Sequence, residues 1–211
     1  MDMETAVKSL NPWVSIWTKP RETIRWIVDT DPTRHVILLA ALTGIAQSLN
    51  RAANRNMGDS LTVLALLGIA VFIGPIGGVI SIHIMGALLR WSGSLLGGQA
   101  TSEEVRAAIA WSSVPIIWAL LLWIPEYALF RKELFTSATP RIDANPLLAL
   151  LLLGFALIET IIAIWALVVL MQCVGEVHGF SAWKASGATL ILALLVGGVV
   201  FACAFGLSLF S

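Results

Sequence analysis

Charge is what this sequence has least of. Only 12% of its 211 residues are Asp, Glu, Lys or Arg, whereas 58% are hydrophobic and the mean hydropathy is +0.87. A soluble domain carries about 25% charged residues, so this composition excludes an ordinary soluble protein and indicates a membrane protein. Acidic and basic residues balance at 13 each. The chain therefore has no excess of positive charge with which to bind nucleic acid, and no acidic tail with which to bind a basic partner.

Cysteine is also scarce, and recognisable catalytic motifs are missing. Cys173 and Cys203 lie in apolar runs without a neighbouring His or Cys, so we expect two small core residues rather than a metal site. The sequence contains no His-Glu-x-x-His, no Gly-x-Ser-x-Gly and no phosphate-binding loop. We therefore predict a protein that is not an enzyme and needs no cofactor and no metal.

Long apolar runs are abundant, and a helix of about 20 such residues crosses the hydrocarbon core of a bilayer. Five runs are candidates: 33–49, 61–96, 104–124, 147–174 and 182–209. The sequence therefore predicts an all-α fold, a polytopic transmembrane bundle of about five spanning helices. We expect a transmembrane domain over 36–211 after a cytoplasmic or interfacial segment over 1–35.

The segment before the first span is predicted to contain an amphipathic helix. Pro20 and Glu22 suit the first turn of a helix, and apolar residues recur after them at helical spacing. Tryptophans and arginines beside a span favour a helix that lies in the headgroup layer. Docking of this helix on the cytoplasmic end of the bundle is an equally good interpretation, and the two are compatible.

The second apolar run, 61–96, is too long for a simple crossing. As one helix it would measure about 54 Å, against a hydrocarbon core of about 30 Å. Gly74, Pro75, Gly77 and Gly78 interrupt it, which predicts one long helix that is kinked here and projects beyond the bilayer. A broken or re-entrant segment is the alternative. Gly74 and Gly78 also have the small-xxx-small spacing, which we expect to serve packing within the chain.

The basic residues predict the orientation. With five spans, eight of them share the side of the N-terminus: Lys8, Lys19, Arg21, Arg25, Arg34, Arg90, Arg106 and Lys184. Five lie on the other side: Arg51, Arg55, Arg131, Lys132 and Arg141. Because cytoplasmic loops carry the excess of Lys and Arg, the N-terminus is predicted to be cytoplasmic and the C-terminus external.

Glu159 is the most unusual polar residue, since it lies near the middle of the fourth span. A charge at this depth costs roughly 2.5–3.5 kcal/mol on insertion scales, so the side chain should face the bundle interior. It could form a proton or cation site, or a buried polar clasp to a neighbouring helix. His83, Arg90 and Gln172 are the candidate partners, and His83 and Arg90 can share one helix face.

Three further polar residues stand in or beside loops. Glu126 follows Pro125 at the predicted end of the third span, where it is expected to pair with basic residues at the interface. Glu176 and His178 flank the short turn before the fifth span. These two donors alone are too few for a metal, which normally takes three or four protein ligands.

Several stretches of the sequence resemble the Yip-domain family, in the order in which that family has them. They are Asn11-Pro12-Trp13, Trp17-Thr18-Lys19-Pro20-Arg21-Glu22-Thr23-Ile24-Arg25, Ala110-Trp111-Ser112-Ser113-Val114-Pro115, Trp123-Ile124-Pro125-Glu126 and Gly175-Glu176-Val177-His178-Gly179-Phe180-Ser181. The resemblance covers about residues 10–205 and is closest to bacterial members. It implies a five-helix domain with a cytoplasmic N-terminus and no agreed catalytic residues.

Eukaryotic members of the family are trafficking factors that bind prenylated GTPases and one another. The resemblance therefore implies a membrane organiser or adaptor whose partners are membrane lipids, other membrane proteins or a second copy of itself. Because the resemblance is closest to bacterial members, it implies the bacterial cytoplasmic (inner) membrane. The alternative from another class is a small transporter or channel, linked to protons or cations, that uses Glu159.

Overall fold

The protein is helical throughout the part of the chain that the structure describes, which is residues 11–181 and Gly187. In this computed structural model the described residues form no strand. Four helical segments are long and apolar enough to cross a membrane: Val36–Asn54, Val63–Leu95, Ser102–Phe135 and Pro146–Val177. The predicted fold class, an all-α membrane-spanning bundle, is confirmed. The fifth predicted span, 182–209, lies outside the described residues.

Two short helices precede the first span: α1 (Pro12–Thr18) and α2 (Pro20–Thr30). Pro20 and Glu22 occupy the first turn of α2, as predicted. The buried face of α2 packs against the third and fourth spans, so the N-terminal segment is docked on the bundle. A domain boundary at residue 35 stays a prediction.

The first span is α3 (Val36–Asn54), and a single 3-10 turn, Met57–Asp59, connects it to the second. Residue His35 precedes α3 with a φ of 57°, in the left-handed region. The apolar part of α3 ends early, because its second half carries polar residues on one side. This half of the helix lines several of the cavities described below.

The second span, α4 (Val63–Leu95), is one continuous helical segment. Its turn over Ile69–Ile73 is a π turn, in which the Gly74 amide donates to the carbonyl of Ile69 five residues earlier. Pro75 follows and has no amide hydrogen to donate, so the wider turn accommodates it without splitting the helix. At 33 residues the helix is about 50 Å long. The segment is therefore a single helix rather than two pieces.

The third span, α5 (Ser102–Phe135), is a series of short helical pieces. It begins with a capping box in which the Thr101 hydroxyl accepts from the Glu104 amide and the Glu104 carboxylate accepts from the Thr101 amide. The pieces are Ser102–Ser112, Val114–Ala119, the 3-10 turn Leu120–Leu122, Trp123–Phe130 and the 3-10 turn Arg131–Phe135.

The expectation that Pro125 and Glu126 end this span is wrong. Both lie in the first turn of the Trp123–Phe130 piece. A proline is tolerated there because the first amides of a helix have no partner within it. The helix therefore continues past Pro125, and this places Glu126 on a spanning segment instead of in a loop.

The fourth span, α7 (Pro146–Val177), follows one short helix, α6 (Pro140–Asp143). The side-chain oxygen of Asn145 caps α7 by accepting from the amides of Leu147 and Leu148. The most apolar stretch of 18 residues in α7 contains no buried residue. Many of its side chains are exposed, as expected of a helix that lies beside lipid, whereas Phe155 and Glu159 are half-buried.

Glycines bring α3 and α4 into backbone contact. A Cβ atom built on Gly44 would lie 2.0 Å from the carbonyl oxygen of Gly74, and one on Gly78 would lie 2.1 Å from that of Ala40. No real Cβ can approach an oxygen so closely, so only glycine fits at these positions. Gly74 and Gly78 thus pack within the chain.

The main core lies at one end of the bundle, where α1, α2, the start of α5 and the end of α7 meet. Its largest fully buried side chains are Trp111, Ile16, Ile24, Ile27, Leu39, Leu89, Val105, Val114 and Val169. A smaller cluster around Phe135 closes the opposite end. The segment between them exposes many large apolar side chains, which is the surface that a bilayer would cover.

Candidate functional site

Glu159 lies on α7, half-buried, at the edge of a cavity of about 330 Å³ between α3, α5 and α7. Asn50, Trp123 and Thr160 line the same cavity. The Thr160 hydroxyl donates to the carbonyl of Ala156 and is satisfied within α7. Glu159 is 13 residues from the start of α7, or about 20 Å along the helix. The carboxyl group is therefore far from both ends of the span.

Glu126 is the carboxyl group that the structure brings close to Glu159. Its side chain is only 4% exposed, and the two carboxyl groups are near enough to repel each other electrostatically. Within the described residues neither one makes a hydrogen bond or an ion pair. The expected interfacial pairing of Glu126 with Arg131 or Lys132 does not occur there. Two acids from different spans thus face one region of the bundle.

The other predicted partners of Glu159 lie elsewhere. The ring Nδ1 of His83 is 2.8 Å from the carbonyl oxygen of Val79 on its own helix. Arg90 donates from Nη1 to the hydroxyl of Ser102 at the start of α5. Both side chains are exposed.

Gln172 is on the same helix as Glu159, 13 residues further along, so about 20 Å separates the two positions. The four residues predicted as one polar cluster are therefore not brought together. Helical periodicity identified shared faces, whereas the order and tilt of the helices determine which faces meet.

Glu176 near the end of α7 forms a cluster with two arginines of α2. Arg21 donates from Nη1 to its Oε2 at 3.3 Å, and Arg25 contacts its Oε1 from both Nε and Nη2. The Glu176 side chain is only 12% exposed, against 40% for Arg21 and 64% for Arg25. A largely buried carboxylate shared by two cations is a strong attachment point for α2.

Further polar contacts hold the N-terminal helices along α7. Arg21 also donates to the carbonyl of Phe180, after the end of α7. The indole Nε1 of Trp165 donates to the carbonyl of Trp17 at 3.2 Å. The buried Cys173 thiol lies 3.8 Å from the carbonyl of Pro20, so this cysteine is the core residue that was expected.

His178 is buried in a space that two glycines provide. A Cβ on Gly93 would lie 2.3 Å from the ring Cε1, and one on Gly98 would lie 2.3 Å from Nδ1. The Phe180 ring stacks on the imidazole with centroids 5.1 Å apart and planes 8° apart. Both ring nitrogens are buried, and neither has a hydrogen-bond partner within the described part of the chain. Burial lowers the pKa of His178, and the nearby Glu104 carboxylate opposes this change.

Sequence reasoning did not identify Arg21 and Arg25 as the partners of Glu176. Both arginines and Glu176 lie in stretches that resemble one family, and this was the available signal. Asn50 was not among the predicted site residues, yet it lines the cavity beside Glu159. Arg21 and Glu176 are 155 residues apart in the sequence. A local sequence pattern cannot predict a contact over such a separation.

The charged residues form two arrangements with different roles. The pair Glu126 and Glu159 can accept protons or hold a cation, because Glu159 lines the cavity and the buried Glu126 lies close enough to repel it. The cluster of Glu176 with Arg21 and Arg25 attaches the peripheral helix α2 to the bundle. Among the described residues no three or more His, Cys, Asp or Glu side chains are arranged to hold a metal ion.

The sequence model of one protein family matches this chain. It is described as the Yip1 domain and it matches residues 14–204, so it begins within α1 and covers α2, all four described spans and the stretch after Val177. No curated protein and no solved structure matches the chain.

Proposed function

Because this chain belongs to the Yip1-domain family of membrane proteins, we propose that it is a non-enzymatic membrane organiser or adaptor. It binds other membrane proteins or lipids through the bundle and the N-terminal helices. The observation that carries the proposal is the attachment of α2 to α7 through the cluster around Glu176. A helix held by a largely buried ion cluster presents one fixed surface to a partner.

The outward face of α1 and α2 is polar and mixed in charge. Lys19, Glu22, Arg25 and Asp29 are exposed on it, and Val14 is 62% exposed. A surface that is already ordered loses little side-chain and backbone freedom on binding, which favours affinity. Its mixed charges favour a partner with a complementary polar face.

The proposal includes a location, the bacterial cytoplasmic membrane, with the N-terminus in the cytoplasm. The excess of Lys and Arg on the N-terminal side, eight against five, supports this orientation. Cysteine labelling of intact cells tests it: a cysteine in place of Asp59 should react with an impermeant reagent, and one in place of Asp29 should react only after lysis.

Purification in mild detergent tests the adaptor. We expect a partner in fixed stoichiometry with the full chain, and loss of it when Glu22 and Asp29 are both changed to lysine. Charge reversal on the exposed face should change association without unfolding the bundle. The matched control is Asp143→Lys, a charge reversal in α6 at the opposite end. Absence of any stoichiometric partner, or equal loss with the control, would contradict the proposal.

A second candidate function, transport of protons or cations, is favoured by one observation: Glu159 lines a cavity, and Glu126 on another span lies close enough to repel it. Intramembrane acids that face a cavity mark ion pathways in many membrane proteins. This arrangement supplies the second acid that the sequence alone did not indicate.

Reconstitution into liposomes separates the two candidates. A transporter should move protons or cations down an imposed gradient, and Glu159→Gln and Glu126→Gln should each abolish this flux. Glu133→Gln serves as the control, since that carboxylate accepts from the amides of Arg141 and Ile142 and caps α6. Flux that is absent, or unchanged in both variants, would exclude transport and leave the adaptor standing.

A further inference from the structure

A polar cleft lies between the second half of α3 and the facing side of α4. Two adjoining cavities of about 200 and 360 Å³ form it, and they share Gln47 and Arg51. We call it the α3 cleft, and its polar lining residues are Gln47, Ser48, Asn50, Arg51, Asn54, Arg55 and Ser81. It is separate from the α2–α7 attachment, and it adjoins the cavity beside Glu159, because Asn50 lines both.

The α3 cleft lies beside apolar helix surface. Arg51 and Ile73 line the same cavity, and α4 continues from Ile73 back to Val63 for 10 more residues, or about 15 Å. This stretch is apolar and outward-facing, with Leu64 81% and Phe72 76% exposed. Arg51 therefore lies next to helix surface that lipid would cover, and it is itself exposed. A cation at the edge of the lipid-covered surface is favoured when an anionic headgroup meets it.

The polar groups of the cleft are not used within the protein. Among the described residues the side chains of Gln47, Asn50, Arg51, Asn54 and Arg55 make no hydrogen bond and no ion pair. The lining also contains no Asp and no Glu. The cleft thus offers two cations and several neutral donors, which is the chemistry that recognises a phosphate group.

Gly77 leaves one wall of the cleft open. It lines the cavity with Arg51 and is exposed, and a Cβ placed on it would meet nothing within 4 Å. Its neighbours Gly74 and Gly78 are different, since they contact the backbone of α3. A headgroup can therefore approach the helix backbone at Gly77, and a large side chain at this position would fill the cleft without disturbing α3.

From these four observations we propose that the α3 cleft binds the phosphate group of an anionic phospholipid from the surrounding leaflet. Arg51 and Arg55 bind the charge, while Gln47, Asn50 and Ser81 donate to the remaining oxygens. The acyl chains lie along the apolar surface of α4 next to the cleft. This inference rests on the lipid-binding part of the proposed function and names the lipid chemistry.

Native mass spectrometry of the purified full chain in mild detergent tests the cleft. Phosphatidylglycerol and phosphatidylcholine with identical acyl chains are added at equal concentration, and bound lipid is counted. We expect phosphatidylglycerol to bind at least about tenfold more tightly, and Arg51→Gln to remove most of this preference, because a charge-assisted hydrogen bond is lost. Gly77→Leu should prevent both lipids from binding at the cleft.

The matched control is Gly154→Leu on α7, away from the cleft and from the apolar surface of α4, where an added Cβ meets no described atom within 4 Å; it should bind like the wild type. Glycerol phosphate, added as a soluble competitor at the lipid's concentration, should not displace phosphatidylglycerol. Displacement would mean that the ligand is a soluble anion and would overturn the lipid assignment. An unchanged preference in Arg51→Gln and in Gly77→Leu would overturn the site. Partner binding through α1 and α2 is measured separately, so either result leaves the adaptor test intact.

Discussion

Arg21 and Glu176 lie 155 positions apart in the sequence and form an ion pair, with 3.3 Å between Nη1 and Oε2. Arg25 approaches the other carboxylate oxygen, so one acid on α7 holds two residues one turn apart on α2. This contact joins the N-terminal helices to the end of the last described span, and it does so with charge rather than with apolar surface alone.

Glu176→Gln should loosen this attachment. The change removes one charge that two arginines share, and hydrogen bonds to charged groups contribute about 1.5–3 kcal/mol each. Because both arginines are partly exposed to solvent, we expect a total loss of about 1–2 kcal/mol. Thermal unfolding in detergent should show a lower midpoint, and proteolysis within α1 or α2 should be faster. Glu22→Gln, which removes the exposed pair with Lys19, should change neither measurement.

The stability of the protein should fall as the pH is lowered. Burial lowers the pKa of His178, so the unfolded chain takes up a proton near its usual pKa of about 6.5 while the folded protein resists it. Stability is therefore lost from about pH 6.5 downward, until the pKa of the folded state is reached.

Unfolding midpoints measured between about pH 7.5 and pH 5.5 test this contribution. The variant His178→Leu should show a smaller loss than the wild type, and His83→Leu, at an exposed position, should retain the whole of it. An identical pH dependence in the wild type and in His178→Leu would show that the buried imidazole is not responsible.

Gly44→Ala should destabilise the contact between α3 and α4. Its methyl group would lie 2.0 Å from the carbonyl oxygen of Gly74, and neither backbone can move without shifting a whole helix. Overpacking of this kind costs about 1–3 kcal/mol. Gly154→Ala is the control, since nothing lies within 4 Å of the added atom. Equal midpoints for the two variants in thermal unfolding would show that the helices are not held by this contact.

Glu126→Gln should leave the protein at least as stable as the wild type. The carboxyl group is buried, makes no hydrogen bond or ion pair with any described residue, and is repelled by Glu159. The isosteric amide removes that repulsion and keeps the shape of the side chain. The result should be opposite in sign to that of Glu176→Gln in the same unfolding assay. A clear loss of stability would indicate a favourable contact that the carboxyl group makes.

Much of the architecture could be predicted because single segments carry it. The apolar runs at 33–49, 61–96 and 147–174 each exceed or approach the length of a crossing, so their helices follow from local composition. Pro125 was misinterpreted for the same reason: taken locally it ends a helix, but a preceding 3-10 turn places it in a new first turn. The π turn before Pro75 could not be predicted either, because a sequence pattern does not distinguish one widened turn within a helix.

The candidate sites depended on which faces of different helices meet. The position of Glu159 within its own span is enough to predict that a charge there is costly. Its neighbour Glu126 belongs to another span and was predicted to lie in or beside a loop. His83 and Arg90 were reasonable partners by spacing, yet the packing turns them outward. Asn50 and Gln47 carry no local signal of a site, and only the helices packed beside α3 make them line cavities of the bundle.

The sequence by itself determined that this is a helical membrane protein of one family, since hydropathy and family motifs are properties of short stretches. Only the tertiary structure decided that Arg21 and Arg25 form ion pairs with Glu176 and that Glu126 lies close to Glu159. It also decided that a cationic cleft opens beside Gly77. The physical reason is that charges and cavities depend on distances between helices, which the close contact of Gly44 with Gly74 and the docking of α2 establish.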